Sequence, residues 1–111
     1  MRPRIYQKWE IPKSVVLLVR ALCADYTRRQ IAIEKKTVDE KVLDEFVRIN
    51  GAIDRALEDV ETEVRRVILL DVVFGRGYNR SCAAMCMCEE SFVKRKHKLI
   101  HDIAVELNLI A

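Results

Sequence analysis

Glycine and proline are scarce, three and two among 111 residues. So few turn-formers exclude a sheet with many tight turns and favour long, uninterrupted helices. Aromatic residues make up only 6% of the chain. No apolar run approaches the roughly 20 residues that a membrane-spanning helix needs. The longest candidates, Val15 to Val19 and Val67 to Phe74, are far too short. The first residues, MRPRIYQKWEIPK, carry charge without the apolar stretch of a secretory signal. These absences place the protein in a cytoplasm, where its four cysteines are expected as free thiols or metal ligands rather than disulfides. No nucleophile elbow, phosphate loop or paired-carboxylate site is present, so the chain is not expected to be an enzyme or to carry a cofactor.

What is there is globular composition: half hydrophobic and a third charged. At this length that means one domain, residues 1–111, able to bury a core without staples. The net charge of +3 conceals a segregation. Residues 1–33 hold seven basic and two acidic side chains, residues 34–63 five and ten, and residues 76–101 six and two. The ends are positive and can be drawn to phosphate. The acidic middle is expected to face away from it.

Apolar spacing of three and four predicts an all-α fold of about five helices. Pro12 opens the first, which runs to about Lys36 on Val15, Leu18, Val19, Leu22, Tyr26 and Ile33. Val16, Leu17 and Cys23 widen its stripe. It is expected to be deeply packed near its start and wetter near its end. The second covers Thr37 to about Asp59 on Val42, Phe46, Ile49, Ile53, Leu57 and Val60, with Gly51 inside it implying a close neighbour or a kink. These two form a helical hairpin over residues 1–58, the natural surface for a homodimer. A third helix, capped by Asp59 or Thr62 and stopped by Gly75, reads VRRVILLDVVF and is expected to be buried on most sides. Asn79 caps a short fourth through about Cys86. The fifth begins near Glu89 or Glu90 and ends near Asn108, with Phe92, Leu99, Ile100, Ile103 and Leu107 on its apolar face and Val93 and Ala104 on the flank. Lys96 falls in the middle of that face, its stem packed and its ammonium expected to snorkel outward.

Residues 59–111 therefore have the shape of a helix-turn-helix, in which one helix braces and the next reads the major groove. Cys82, Ala83, Met85 and Met87 suit the crossing. Ser91, Lys94, Arg95 and Lys98 suit the reading face, and Arg76 and Arg80 suit backbone phosphates. Arg95 is the candidate for a bidentate guanine contact. Glu89 and Glu90 oppose this reading, since they would meet phosphate unless they serve the helix dipole. A second reading of the same stretch is a metal site: Cys82, Cys86, His97 and His101 form C-x3-C-x10-H-x3-H, close to zinc-finger spacing. Its short loop and missing strand signal favour cysteines packed as small core residues. Cys88, near a helix start and beside Lys94 to Lys98, is a candidate redox-sensitive thiol.

The run MCMCEESFVKRKHKLIHDIAVELNL resembles the C-terminal segment of the RinA and ArpU-like phage transcriptional regulators, which are themselves similar to region 4 of sigma factors. The resemblance rests on Met85, Met87, the cluster Cys88 to Ser91, the basic stretch Lys94 to Lys98 and the closing Leu99 to Leu107, and it covers roughly residues 60–109. It departs at Cys88, where the family usually has serine, and at the acidic pair. It implies a sequence-specific regulator of phage or prophage origin that binds double-stranded DNA, with Lys94, Arg95 and Lys98 as contacts and RNA polymerase as a candidate partner. The alternatives are the DNA-recognition subunit of a phage packaging terminase, and a helical protein-interaction module with no DNA binding.

Overall fold

The computed structural model describes residues 11–75 and 88–110. Among them are five helices and no strand: α1 (Lys13–Ala24), α2 (Tyr26–Lys35), α3 (Glu40–Glu58), α4 (Thr62–Phe74) and α5 (Glu89–Glu106). The all-α class follows from the periodicity as expected. The fourth helix expected at Asn79 to Cys86 lies outside the described residues.

The long first helix of the sequence reading is two helices. It breaks at Asp25, whose backbone (φ −98°, ψ 7°) leaves helical geometry for one residue while its N–H still reaches the Ala21 carbonyl at 3.2 Å. Asp25 turns its carboxylate to the Arg28 side chain, with Nε–Oδ1 at 2.8 Å. This local side-chain pairing stabilises the bend that an aspartate tolerates and a continuous helix would not need. Leu17 and Leu18, expected in the packed stripe, are exposed at 51% and 44%. The buried residues of α1 are Val19 and Cys23, both members of the expected stripe.

α2 and α3 form the hairpin, and a polar pair holds its inner face. Arg29 is only 2% exposed and Asn50 equally so. Arg29 Nε donates to Asn50 Oδ1 at 2.7 Å, and its Nη2 donates to the Leu22 carbonyl. Asn50 Nδ2 in turn donates to the Tyr26 carbonyl and to Gln30 Oε1, both at 3.2 Å. Near the open end, the Arg28 guanidinium lies 5.3 Å from the centroid of the Phe46 ring, a cation–π contact. The end expected to be wet thus contains a buried charge. It is tolerated because burying a guanidinium is costly only when its donors lack acceptors.

Asp39 opens α3 by accepting the Val42 N–H at 3.0 Å, an N-cap worth about 1 kcal/mol. Gly51 has no close backbone neighbour. A Cβ there would meet only the end of the Arg55 side chain, at 3.1 Å, so no closely packed neighbouring helix accounts for it.

α4 is preceded by Glu61, which makes no side-chain cap bond; neither Asp59 nor Thr62 fills that role. Only Val64, Ile68, Asp71 and Val72 of α4 are buried, and Phe74 is 61% exposed. It is less enclosed than its composition suggests. Gly75 ends it in the left-handed conformation (φ 62°) as expected, its N–H donating to the Asp71 carbonyl at 2.7 Å. Arg20 of α1 seals the same end, donating from Nε to the Val72 carbonyl at 2.9 Å. A cation at a helix C-terminus is favoured by the dipole.

α1, α4, α5 and the second half of α3 enclose one core built on Val19, Ile53, Ala56, Ile68, Val72, Phe92, Leu99, Ile100 and Ile103. No described helix is long and apolar enough to cross a membrane.

Candidate nucleic-acid interface

α5 is positioned by its apolar face. Phe92, Leu99, Ile100 and Ile103 are each at most 1% exposed, and Val93, Ala104 and Leu107 are buried with them. Burying one such side chain contributes about 1.5–3 kcal/mol, so this face fixes the rotation of α5 about its axis. At 100° per residue, Ser91, Lys94, Lys98 and Val105 then fall together on the opposite side. Arg95 flanks that outward stripe. The first turn is solvent-facing, with Cys88, Glu89 and Glu90 all exposed. Cys88 stands at the N-cap and makes no side-chain cap bond, in keeping with its poor capping chemistry. Glu89 and Glu90 occupy the first turn, where the dipole favours carboxylates.

The basic stretch is largely neutralised from within. Arg95 donates from Nη2 and Nε to the two carboxylate oxygens of Glu61, at 2.7 and 2.9 Å, and from Nη1 to Ser91. Lys98 lies between Asp102 Oδ2 at 2.7 Å and Asp59 Oδ2 at 3.4 Å. Arg55 meets Glu106 at 3.1 Å further along. As α3 and its following link run one way, α5 runs the other, and positions 55, 59 and 61 face positions 106, 98 and 95 in turn. This is an antiparallel ladder of ion pairs. The acidic middle, expected to face away from phosphate, thus lies in part on the basic helix itself. Two of its carboxylates, Asp59 and Glu61, lie directly on that helix, since opposite charges brought within 4 Å attract.

Lys96 also departs from its expected role. Its ammonium does not snorkel to water but ends 2.9 Å from the carboxylate of Asp71, itself 1% exposed. A lysine in the middle of an apolar face is explained by a buried acid on the facing helix. His97 is half-buried, and burial followed by the neighbouring Lys96 charge holds its pKa below the usual value, which favours the neutral ring near pH 7. Of the five consecutive basic residues, Lys94 is exposed and makes no ion pair among the described residues.

Arginine and lysine at these positions respond to their partners. Hydrogen bonding to Glu61 raises the Arg95 pKa, and bonding to Asp102 raises that of Lys98. Both remain cations at any physiological pH. The Arg95 hydrogen bond pulls the Glu61 carboxyl down to about 2, assisted by its own backbone.

The structure thus brings Ser91, Lys94, Arg95 and Lys98 to one side of α5. Arg76 and Arg80 lie outside the described residues, as do Cys82 and Cys86 of the alternative metal set. His97 and His101 are both half-buried, and His101 Nδ1 is 3.4 Å from Asp102 Oδ1. No group of three or more His, Cys, Asp or Glu suited to a metal occurs among the described residues. The residues that the sequence reading missed are Asp59, Glu61, Asp71 and Asp102. Asp102 stands four residues after Lys98, a spacing at which a helical ion pair could have been anticipated. No local signal marks the other three.

No protein-family model, curated protein or solved structure matches this chain.

Proposed function

We propose that the protein is a sequence-specific DNA-binding transcriptional regulator that presents α5 to the major groove of duplex DNA. The observation that carries this reading is the rigidly seated outward stripe of Ser91, Lys94 and Lys98, flanked by Arg95, at the solvent-facing start of an 18-residue helix. A groove-reading helix needs this combination of one anchored face and one donor-bearing face. The pattern's resemblance to phage regulators of the RinA and ArpU type supports it, and implies a phage or prophage origin. Lys94 and Lys98 supply phosphate contacts and Arg95 the base contact. A homodimer would let two such helices read two half-sites. The exposed Leu17 and Leu18 of α1 are the apolar side chains it would cover.

The test is fluorescence anisotropy with random and selected duplexes over a range of salt. A regulator of this kind binds with affinity that falls steeply as salt rises. Lys94→Ala weakens all sequences alike, and Arg95→Ala lowers the preference for the selected one. Absence of duplex binding at low salt refutes the reading.

The ion-pair ladder favours a second reading, a helical protein-interaction module. Internal neutralisation of Arg95 and Lys98 leaves α5 less attractive to phosphate and more suited to a polypeptide partner. A protein retained in a pull-down together with no affinity for DNA would support it. A large ring by light scattering would instead indicate a packaging-terminase subunit.

A further inference from the structure

Resting on the DNA-binding reading, we propose that Asp59 and Glu61 are specificity-determining residues: they hold Lys98 and Arg95 so that a generic phosphate backbone engages α5 through Lys94 alone, while Arg95 keeps one donor open to a base edge. Three observations support this. Both carboxylates come from the short link between α3 and α4, and both reach the same helix, at 3.4 Å to Lys98 and 2.7 Å to Arg95. Both sit at the reading surface, exposed at 68% and 52%, where they repel an approaching phosphate as well as occupying its cation. Glu61 occupies two donors of the Arg95 fork, on Nε and Nη2, and Ser91 takes Nη1. Phosphate must therefore compete for donors already satisfied, whereas the second Nη2 hydrogen stays available to a base edge.

Discrimination built in this way lowers binding to the wrong partner rather than raising binding to the right one. The partners to be rejected are the many non-specific duplex sites that a basic helix would otherwise bind. Since Arg95 keeps the Glu61 carboxyl ionised to about pH 2, the restraint is released by competing anions and salt, not by protonation in any cellular range.

The experiment compares four full-length proteins: wild type, Asp59→Asn/Glu61→Gln, Glu61→Gln alone, and the control Glu58→Gln/Glu63→Gln. The control changes net charge by the same amount at exposed acids that make no ion pair with α5. Each is checked for helicity by circular dichroism, then titrated against a random-sequence duplex and a selected duplex by anisotropy. Freeing two exposed ion pairs should tighten random-duplex binding by about two- to thirty-fold in the double variant, with Glu61→Gln intermediate and the control gaining less than a third as much. The ratio of selected to random affinity should shrink correspondingly. Random-duplex binding by the double variant no tighter than wild type, or no tighter than the control, overturns the proposal while leaving DNA binding intact. If neither wild type nor any variant holds a duplex at low salt, the DNA-binding reading falls and this inference with it. A duplex held by the double variant alone, with wild type binding neither, overturns both, since a selected duplex should engage the wild-type helix.

Discussion

Replacing Arg29 and Asn50 together should destabilise the hairpin much less than the two single replacements summed. Arg29 is 2% exposed and its Nε hydrogen bond to Asn50 Oδ1 is 2.7 Å long. In Arg29→Met the charge disappears, but Asn50 Oδ1 and the Leu22 carbonyl lose their donor. An unsatisfied buried acceptor costs about 1–3 kcal/mol, and the new methionine returns some of this through apolar burial. In Asn50→Leu the guanidinium stays buried without its Nε acceptor, leaving the Leu22 carbonyl and, at 3.9 Å, Asp25. A buried charge deprived of a partner costs about 3–5 kcal/mol. The double variant removes charge and acceptor together and packs two apolar chains, a replacement that is often near neutral. The expected costs are therefore about 2 kcal/mol for Arg29→Met, about 3–4 for Asn50→Leu and about 1–3 for both, a coupling of at least about 2 kcal/mol. Urea unfolding followed by circular dichroism measures each, provided that the slope with denaturant is unchanged. Costs that add to within about 0.5 kcal/mol, or an Asn50→Leu cheaper than Arg29→Met, would refute the buried-charge account.

Gly51→Ala should raise stability by about 0.5–1 kcal/mol, because its Cβ meets only the far end of the half-exposed Arg55; a lowered urea midpoint would show that Arg55 cannot move aside. Acid should weaken the fold in two steps. His97 has a depressed pKa in the folded state, so the unfolded chain takes up a proton first and stability declines as pH falls below about 6.5; a His97→Gln variant flattens that first step. Glu61, depressed from 4.5 to about 2, contributes stability that is present above pH 4.5 and lost between there and about pH 2, a step that Glu61→Gln removes. Cys23 is buried and its thiol is pushed up to about 11 by desolvation, so iodoacetamide at pH 8 should leave it unmodified in peptide mapping while labelling the exposed Cys88.

Features governed by neighbours in sequence were legible before the structure. The helical spacing of Phe92, Leu99, Ile100, Ile103 and Leu107 located the buried face of α5, and Gly75 stopped α4 where a residue of positive φ was needed. Features set by residues distant in sequence were not. Arg29 looks like an ordinary surface cation until Asn50, 21 residues away, supplies its acceptor. Lys96 looks misplaced until Asp71 is brought beneath it. The basic stretch looks like a free phosphate-binding surface until Asp59 and Glu61 fold onto it. Net charge by segment reports how much charge each part carries, but not which charges are spent on one another. The break at Asp25 was missed for a different reason: apolar periodicity continues through it, and a single non-helical residue leaves that pattern intact.

The seal of Arg20 on the end of α4 spans 52 residues of sequence, and α1 packs against both α4 and α5. A chain emerging from the ribosome therefore makes α1 before either helix that covers it, and its cover is complete only once Leu107 has been added. The α2–α3 hairpin, whose contacts are local, can form well before that. Such an order leaves the apolar face of α1, with Val15, Val19 and Leu22, open until α4 and α5 follow. That interval, rather than the finished domain, is when this protein is most exposed to aggregation.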